Sequence, residues 1–394
     1  MVKIKLGDVI DFKNGKSIKK SDGNIPIYGG NGILGYTDKS NFSHTIVVGR
    51  VGAYCGSIHV EENLCWVSDN AIAGIPKEGQ DLTYLYYVLK SLNLNSKQIG
   101  SSQPLITQSM LKDMVVDVEI DNEKQKRIAK SILIIDQKIQ INNQINQELE
   151  AMAKTLYDYW FVQFDFPDQN GKPYKSSGGK MVYNPELKRE IPEGWGVEKL
   201  KDKLSVSRGI SYKTENIKDN IGTPMINLAS IDINRNYKST GLKYFNGEYL
   251  KEKIVSGGDL LIACTDLTRN ADIVGSPIIV PFDEQKYVFS MDLAKIDSKV
   301  DFINKYYLYS TLRTEHYHNY IKKWASGTNV LHLNLDGMNW YSISVPPIEL
   351  QEEYSQIILN FSKKTNKNIQ ENQELTQLRD WLLPMLMNGQ VKVE

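Results

Sequence analysis

The stretch from Leu105 to Trp160 returns 226 positions later as Leu331 to Leu386, and the two copies align without a gap. Gln125 comes back as Gln351, Ile132-Leu133 as Ile358-Leu359, and Lys138 as Lys364. The run Asn146-Gln147-Glu148-Leu149 comes back as Asn372-Gln373-Glu374-Leu375, and Leu156 as Leu382. Ahead of each copy lies a longer, β-like block that does not match its counterpart closely. A retained scaffold behind a changed head, repeated once, is the layout of a two-headed reader. An enzyme with one active site has no evident need for it.

The repeated stretch has the period of a long helix. Ile128, Ile132, Ile135, Ile139, Asn142, Asn146, Leu149, Ala153, Leu156 and Trp160 fall at alternating steps of four and three. No Pro or Gly interrupts them, so they form a heptad seam. The spacing predicts a helix over about 122–160, roughly 58 Å long at 1.5 Å per residue. The second seam reads Tyr354, Ile358, Phe361, Thr365, Asn368, Asn372, Leu375, Arg379, Leu382 and Leu386. It follows Pro346-Pro347, with Glu349, Glu352 and Glu353 at the end where the helix dipole favours anions. Pro384 is expected to kink or end it.

Both seams carry asparagines at the same two central places, and a buried Asn costs coiled-coil stability while fixing register. An antiparallel pair would bring Asn142 and Asn146 to Asn368 and Asn372; the alternative is a solvated face of ordinary bundle helices. The residues expected to pair the helices are Ile132, Ile135, Ile139, Asn142, Asn146, Leu149, Ile358, Phe361, Asn368, Asn372 and Leu375.

The expected fold class is α+β: two recognition domains, β-rich with short helices, separated and followed by long helices that pair as an antiparallel coiled coil. The segments are a first head (1–120), a central helix (121–162), a connector (163–195), a second head (196–346) and a C-terminal helix (347–394). In the first head, Thr45-Ile46-Val47-Val48-Gly49 is a β-branched strand run, Met114 to Ile120 is strand-like, and Tyr84 to Leu92 is the helix candidate. The stretch Asp165 to Trp195, rich in Pro, Gly, Ser and Lys, reads as an exposed connector. The second head offers Asp259–Cys264, Pro277–Val280 and Tyr287–Met291 as strands.

Composition narrows the function classes. The chain has 394 residues, 41% hydrophobic and 24% charged, which fits two or more globular domains. Cys55, Cys65 and Cys264 form no CxxC pair, so neither a disulfide framework nor a zinc site is indicated. No leader-like or membrane-spanning apolar run is seen, so a cytoplasmic location without membrane contact is expected. Net charge is zero, which weighs against a strong free-standing DNA binder but not against a reader working inside a complex.

Catalytic motifs are missing. The one Pro-Pro, in Val345-Pro346-Pro347-Ile348, lacks the flanking residues with which an adenine methyltransferase grips its base. There is no P-loop, GxSxG, HExxH or convincing nuclease cluster. His316 and His318 straddle Tyr317, which on a helix sends them to different faces. No metal ligand, cofactor or catalytic residue is expected in this chain.

Several stretches in order resemble the specificity subunits of type I restriction-modification systems, over essentially the whole length. The segment Ile25-Pro26-Ile27-Tyr28-Gly29-Gly30-Asn31-Gly32, with Gly35-Tyr36 and then Val48-Gly49-Arg50-Val51-Gly52, is similar to the first recognition domain of that family. The connector from Phe166-Pro167 through Gly171-Lys172-Pro173-Tyr174-Lys175-Ser176-Ser177-Gly178-Gly179 to Ile191-Pro192-Glu193-Gly194-Trp195 is typical of many members. Gly257-Gly258-Asp259-Leu260-Leu261-Ile262-Ala263 resembles the matching strand of the second domain.

The resemblance implies that each head reads one half of an interrupted double-stranded DNA target. It implies that the helices set the spacer and that two modification subunits dock on them to methylate adenine N6. Two restriction subunits would join for ATP-dependent cleavage. S-adenosylmethionine, Mg and ATP would then belong to the partner subunits. Two other readings stay open: the recognition chain of a related restriction enzyme, and a coiled-coil adaptor whose heads bind something other than DNA.

Under the DNA reading, Lys13, Lys16, Lys19 and Lys20 are candidates for phosphate contacts, or else form a solvated lysine face. Arg50 could reach guanine O6/N7 or pair with a core carboxylate, and Tyr54 follows it. Ser101, Ser102 and Gln103 form a small polar loop before the helix, and Gln suits adenine N6/N7. In the second head Ser326, Thr328 and Asn329 occupy the equivalent loop. Arg208, Ser211, Tyr212 and Lys213 stand where the first head has its lysines. Thr265, Thr268, Arg269 and Asn270 form a polar loop after a strand, able to enter a groove.

Overall fold

A computed structural model describes residues 1–97 and 104–391. The chain divides into two compact units. The first comprises Met1–Ile141 and Glu371–Glu394, the second Asn142–Gln370. Each contains one β-rich head and parts of the two long helices, Asn122–Tyr157 and Ile348–Met387.

The first unit is built on a six-stranded sheet. Its strand order is Ile10–Asn14, Ala71–Pro76, Phe42–Gly49, Ile58–Val67, Ile25–Gly29, Gly32–Thr37. The β-branched run Thr45–Val48 lies in the third strand, where its side chains alternate between faces. Ile46 and Val48 enter the main core with the helix Leu82–Ser91, while Val47 joins Tyr28, Cys65 and Val67 on the other face. All three are fully buried, and each contributes about 1.5–3 kcal/mol of apolar burial. Asp81 caps the helix by accepting from Tyr84 N at 2.8 Å. Ile128, Ala129 and Ile132 of the central helix and Leu383, Leu386 and Met387 of the C-terminal helix complete the core.

In the second unit a four-stranded sheet runs Leu204–Arg208, Leu293–Ser298, Leu260–Ala263, Pro277–Ile279. The same alternation divides its middle strand: Leu260 and Ile262 face one core, Leu261 and Ala263 another. The larger core includes Tyr307 and Leu308 of the helix Lys305–Leu312 and Tyr317 of the helix Glu315–Ile321. Two aromatic pairs tie the long helices into it. Phe161 meets Tyr354 at 4.9 Å between ring centres and 85°, and Tyr307 at 4.9 Å and 66°.

One motif repeats between the heads. A two-stranded antiparallel ladder precedes each long helix, Val2–Lys5 with Val115–Val118 and Gly196–Lys199 with Ser342–Val345. Every seam position is buried or half-buried, whereas Ile134 and Ile141, off the seam, are exposed.

Three features differ from expectation in whole or in part. The central α-helix stops at Tyr157 and continues as one π turn, Asp158–Val162, which turns both Trp160 and Phe161 inward. Of the two outcomes expected at Pro384, a kink or an end, the end does not occur: the helix runs to Met387, with Leu386 and Met387 anchored in the first unit's core. The connector is exposed only in part: Phe166 stacks on Tyr174 at 4.7 Å and on Trp195 at 5.3 Å. Asp165 fixes its fold by accepting from Ser176 N and Oγ at 2.7 and 2.6 Å.

Among the described residues no helix is long and apolar enough to cross a membrane, and no group of three His, Cys, Asp or Glu could hold a metal. The three cysteines are free and buried.

Candidate nucleic-acid interface

Leu105 and Leu331 begin the two copies of the repeat, and each pairs with the strand end that launches a loop. In the first head Leu105 bridges Val51. Ile106 N donates to Arg50 O at 2.9 Å and Gly52 N to Pro104 O at 3.3 Å. In the second head Leu331 pairs with Asp266, and His332 with Thr265. Arg50-Val51 and Thr265-Asp266 are therefore equivalent positions in two heads of unlike sequence. Sequence comparison of the heads could not have aligned them.

In the first head Arg50 and Tyr54 share this loop. Tyr54 is exposed, while Arg50 is half-buried and its Nε finds no hydrogen-bond partner among the described residues. Pro104 and Leu105 lie against the same loop; Ser101, Ser102 and Gln103 lie outside the described residues. Lys13 sits in the strand Ile10–Asn14, 3.5 Å from Asp11. Lys16, Lys19 and Lys20 follow it and are exposed. The backbone of Lys16 is held by its N donating to Val67 O, and by Trp66 Nε1 donating to Lys16 O at 2.6 Å.

In the second head a three-stranded sheet, Thr265–Asp266, Leu331–Leu333, Ala325–Ser326, brings two predicted loops together. Ser326, Thr328 and Asn329 are exposed around the turn that joins its last two strands. Gly327 there has φ of +141°, and a Cβ on it would lie 1.9 Å from Val330 O. The turn therefore requires glycine.

Arg208 Nη1 donates to Met291 O at 3.2 Å and Nη2 to Leu333 O at 3.5 Å, which places its guanidinium beside this sheet. Ser211 and Lys213 are exposed, and Lys213 stands 3.7 Å from Glu215. Tyr212 accepts from Lys243 Nζ at 3.1 Å, with the ammonium 5.5 Å from its ring centre.

Thr265 departs from its predicted role. It is only 4% exposed and its hydroxyl donates to Asp292 at 3.1 Å, so it supports the loop from inside. Asp266, missed by the sequence reading, organises the loop. Fully buried, its carboxylate accepts from Thr268 N, Ile273 N and Val274 N at 2.6, 2.7 and 2.8 Å. Charge-assisted bonds of this kind are short and strong. They hold Arg269 and Asn270 outward and exposed.

Each head thus offers a pinned loop beside a small polar turn or its flank, with cations nearby. Such an arrangement suits hydrogen bonding to base edges, with lysines on phosphates.

Comparison with known proteins points the same way. The family model described as "Type I restriction modification DNA specificity domain" matches residues 1–151 and 192–377. The type I restriction enzyme MjaIX specificity subunit of Methanocaldococcus jannaschii is 28% identical over 335 residues, 81% of this chain and 71% of that protein. The HindI specificity subunit of Haemophilus influenzae is 24% identical over 349 residues, 73% and 71% of the two chains. The crystal structure of a type I restriction-modification S subunit from M. genitalium superposes with a TM-score of 0.63 at 17% identity, covering 98% of this chain and 96% of that one.

Proposed function

The chain belongs to the family of type I restriction modification DNA specificity domains, and from that premise we propose that each head reads one half of an interrupted duplex target. As a specificity subunit it recognises DNA within a larger complex and carries no catalytic step of its own. The observation that supports a two-part target is the repeated placement of the loops. Arg50-Val51 and Thr265-Asp266 stand at equivalent strand ends, each beside its copy of the repeated stretch.

The long helices pair antiparallel as a coiled coil and act as a ruler, because half-site separation follows from where two readers are held. Support for pairing comes from within each unit: Arg379 bonds Asp136 at 2.9 Å, and Asn368 bonds Asn146 at 2.8 Å. Two modification subunits carrying S-adenosylmethionine dock on these helices and methylate adenine N6. Two restriction subunits supply Mg- and ATP-dependent translocation and cleavage. Zero net charge accords with partners contributing part of the phosphate attraction.

The test is an adenine-methylation map of DNA from cells expressing this chain with its neighbouring modification subunit. An interrupted motif that appears only when this chain is present is the expected result. No new methylation from a folded, associated complex would turn the assignment toward a protein- or glycan-binding adaptor.

A further inference from the structure

Gln125 and Gln351 are repeat partners, and both are completely buried. A fully buried primary amide needs every donor and acceptor satisfied, and both residues meet that need in the same way. Gln125 Oε1 accepts from Asp81 N at 2.7 Å, and its Nε2 donates to Glu119 O at 2.6 Å and Gln80 Oε1 at 2.8 Å. Gln351 Oε1 accepts from Asn304 N at 2.9 Å, and its Nε2 donates to Pro346 O at 2.8 Å and Phe302 O at 2.9 Å.

The partners have matching places in the fold. Asp81 and Asn304 are the capping residues of the helices Leu82–Ser91 and Lys305–Leu312. Glu119 and Pro346 lie just before the two long helices. In each unit one amide therefore joins three things: the start of the head's helix, the loop ahead of it, and the entry to the long helix. A second contact runs alongside each. Glu119 N donates to Tyr84 OH at 2.9 Å, and Tyr307 OH donates to Ser344 O at 2.6 Å.

The heads differ in sheet topology and in sequence, yet this joint is the same in both. A joint kept while the surface it carries is rebuilt has a positional task, not a reading task. We infer that Gln125 and Gln351 are positioning residues: each fixes the angle of its head on its long helix and so sets where that half-site falls relative to the other. The inference rests on the DNA-reading function proposed above.

The experiment uses the assembled modification complex on duplexes carrying its mapped motif, with the native spacer or one base pair more or less. Gln351→Met keeps the volume and removes all three bonds. Its expected effect is a rise of about tenfold in methylation of the altered spacers relative to the native one, a modest figure for three buried bonds lost. Gln125→Met is expected to do the same. Gln351→Glu, held neutral by its burial, keeps the acceptor and one of the two donors, and should fall between wild type and Gln351→Met. It also provides the reading if the Met variant does not fold.

Leu308→Ala weakens the same core but leaves the hydrogen-bonding groups of the joint in place, and should lower the melting temperature while leaving the spacer ratio alone. A spacer ratio unchanged in a folded Gln351 variant, or changed equally by Leu308→Ala, overturns the inference. Failure of the wild-type complex to show an interrupted motif would instead overturn the function on which it rests.

Discussion

Asp136 and Arg379 are 243 positions apart in the sequence, and Arg379 Nη1 donates to Asp136 Oδ1 at 2.9 Å. The other oxygen of that carboxylate accepts from Tyr87 OH at 2.8 Å and has Lys90 Nζ at 3.7 Å. One aspartate of the central helix thus holds the head's helix and the C-terminal helix within the first unit. Asp136→Asn keeps the shape and removes the charge, and should destabilise this unit by about 1.5–3 kcal/mol, the range for hydrogen bonds to charged groups. Urea melting would measure it. The penalty of Arg379→Ala should be smaller in the Asp136→Asn background than in wild type.

The pH dependence follows from two groups shifted in the same direction for different reasons. Burial pushes the Asp136 carboxyl up, but its bonds to Arg379 and Tyr87 and the charge of Lys90 outweigh it, so its pKa lies below the ordinary 3.8. Its stabilisation is complete above that value and is lost as pH falls through the folded one. His318 is held below its ordinary 6.5, first by burial and then by Arg235 and Lys322, against the opposing pull of Glu315 and the Ala271 backbone. The unfolded chain therefore takes up a proton before the folded one does. Stability contributed by neutral His318 is complete above pH 6.5 and declines as pH drops from there toward the folded value. Melting temperatures measured from about pH 7.5 to about pH 4.5 should fall in wild type, and His318→Gln should flatten the upper part of that decline.

Much of the scaffold was legible because a heptad period and a gapless repeat are one-dimensional signals. The seam residues from Ile128 to Leu386 are buried or half-buried as their spacing implies. The parallel pairing of Ile27-Tyr28 with Trp66-Val67 was not legible, since it joins strands far apart with no turn signal between them. The connector's stack of Phe166, Tyr174 and Trp195 was hidden by a Gly- and Ser-rich composition. At the candidate site, exposure of Arg269 and Asn270 could be anticipated, but Asp266 as their buried support could not. In sequence it is one more polar residue in a polar loop. Gln125 and Gln351 were visible as identities, yet only coordinates reveal that both amides close the same joint.

The loops should divide the target between them. Thr328→Val and Asn329→Ala are expected to relax or remake the second half of the methylated motif and to leave the first half as it was. A lost bidentate base contact costs about 1–3 kcal/mol, so methylation of the original sequence should fall by about tenfold to a hundredfold. A methylation map of each variant decides it. A change in both halves would show that the heads do not read independently.

The exposed lysines of the first head should act on affinity without acting on sequence. Replacing Lys16, Lys19 and Lys20 by alanine removes up to three phosphate contacts, each worth about 0.9 in the slope of log affinity against log salt. The assembled complex should bind more weakly at low salt, with a shallower salt dependence and an unchanged motif. An altered motif would move these residues from phosphates to base edges.

The buried amides of the second unit separate stability from register. Asn142 and Asn368 are each 1% exposed, and Asn368 Nδ2 donates to Asn146 Oδ1 at 2.8 Å. Asn368→Leu alone leaves the Asn146 amide short of a partner and should cost about 1–3 kcal/mol. Replacing Asn146 and Asn368 together by leucine removes both partners, fills the interface with apolar volume and should raise the melting temperature above that of the single variant. A leucine pair does not favour one stagger of two helices as a hydrogen-bonded amide does. The double variant should therefore methylate the native spacer less selectively even where it melts higher. Stability and spacer selectivity moving in opposite directions would mark the asparagines as register elements. A variant that melts higher with unchanged selectivity would make them polar residues the interface merely tolerates.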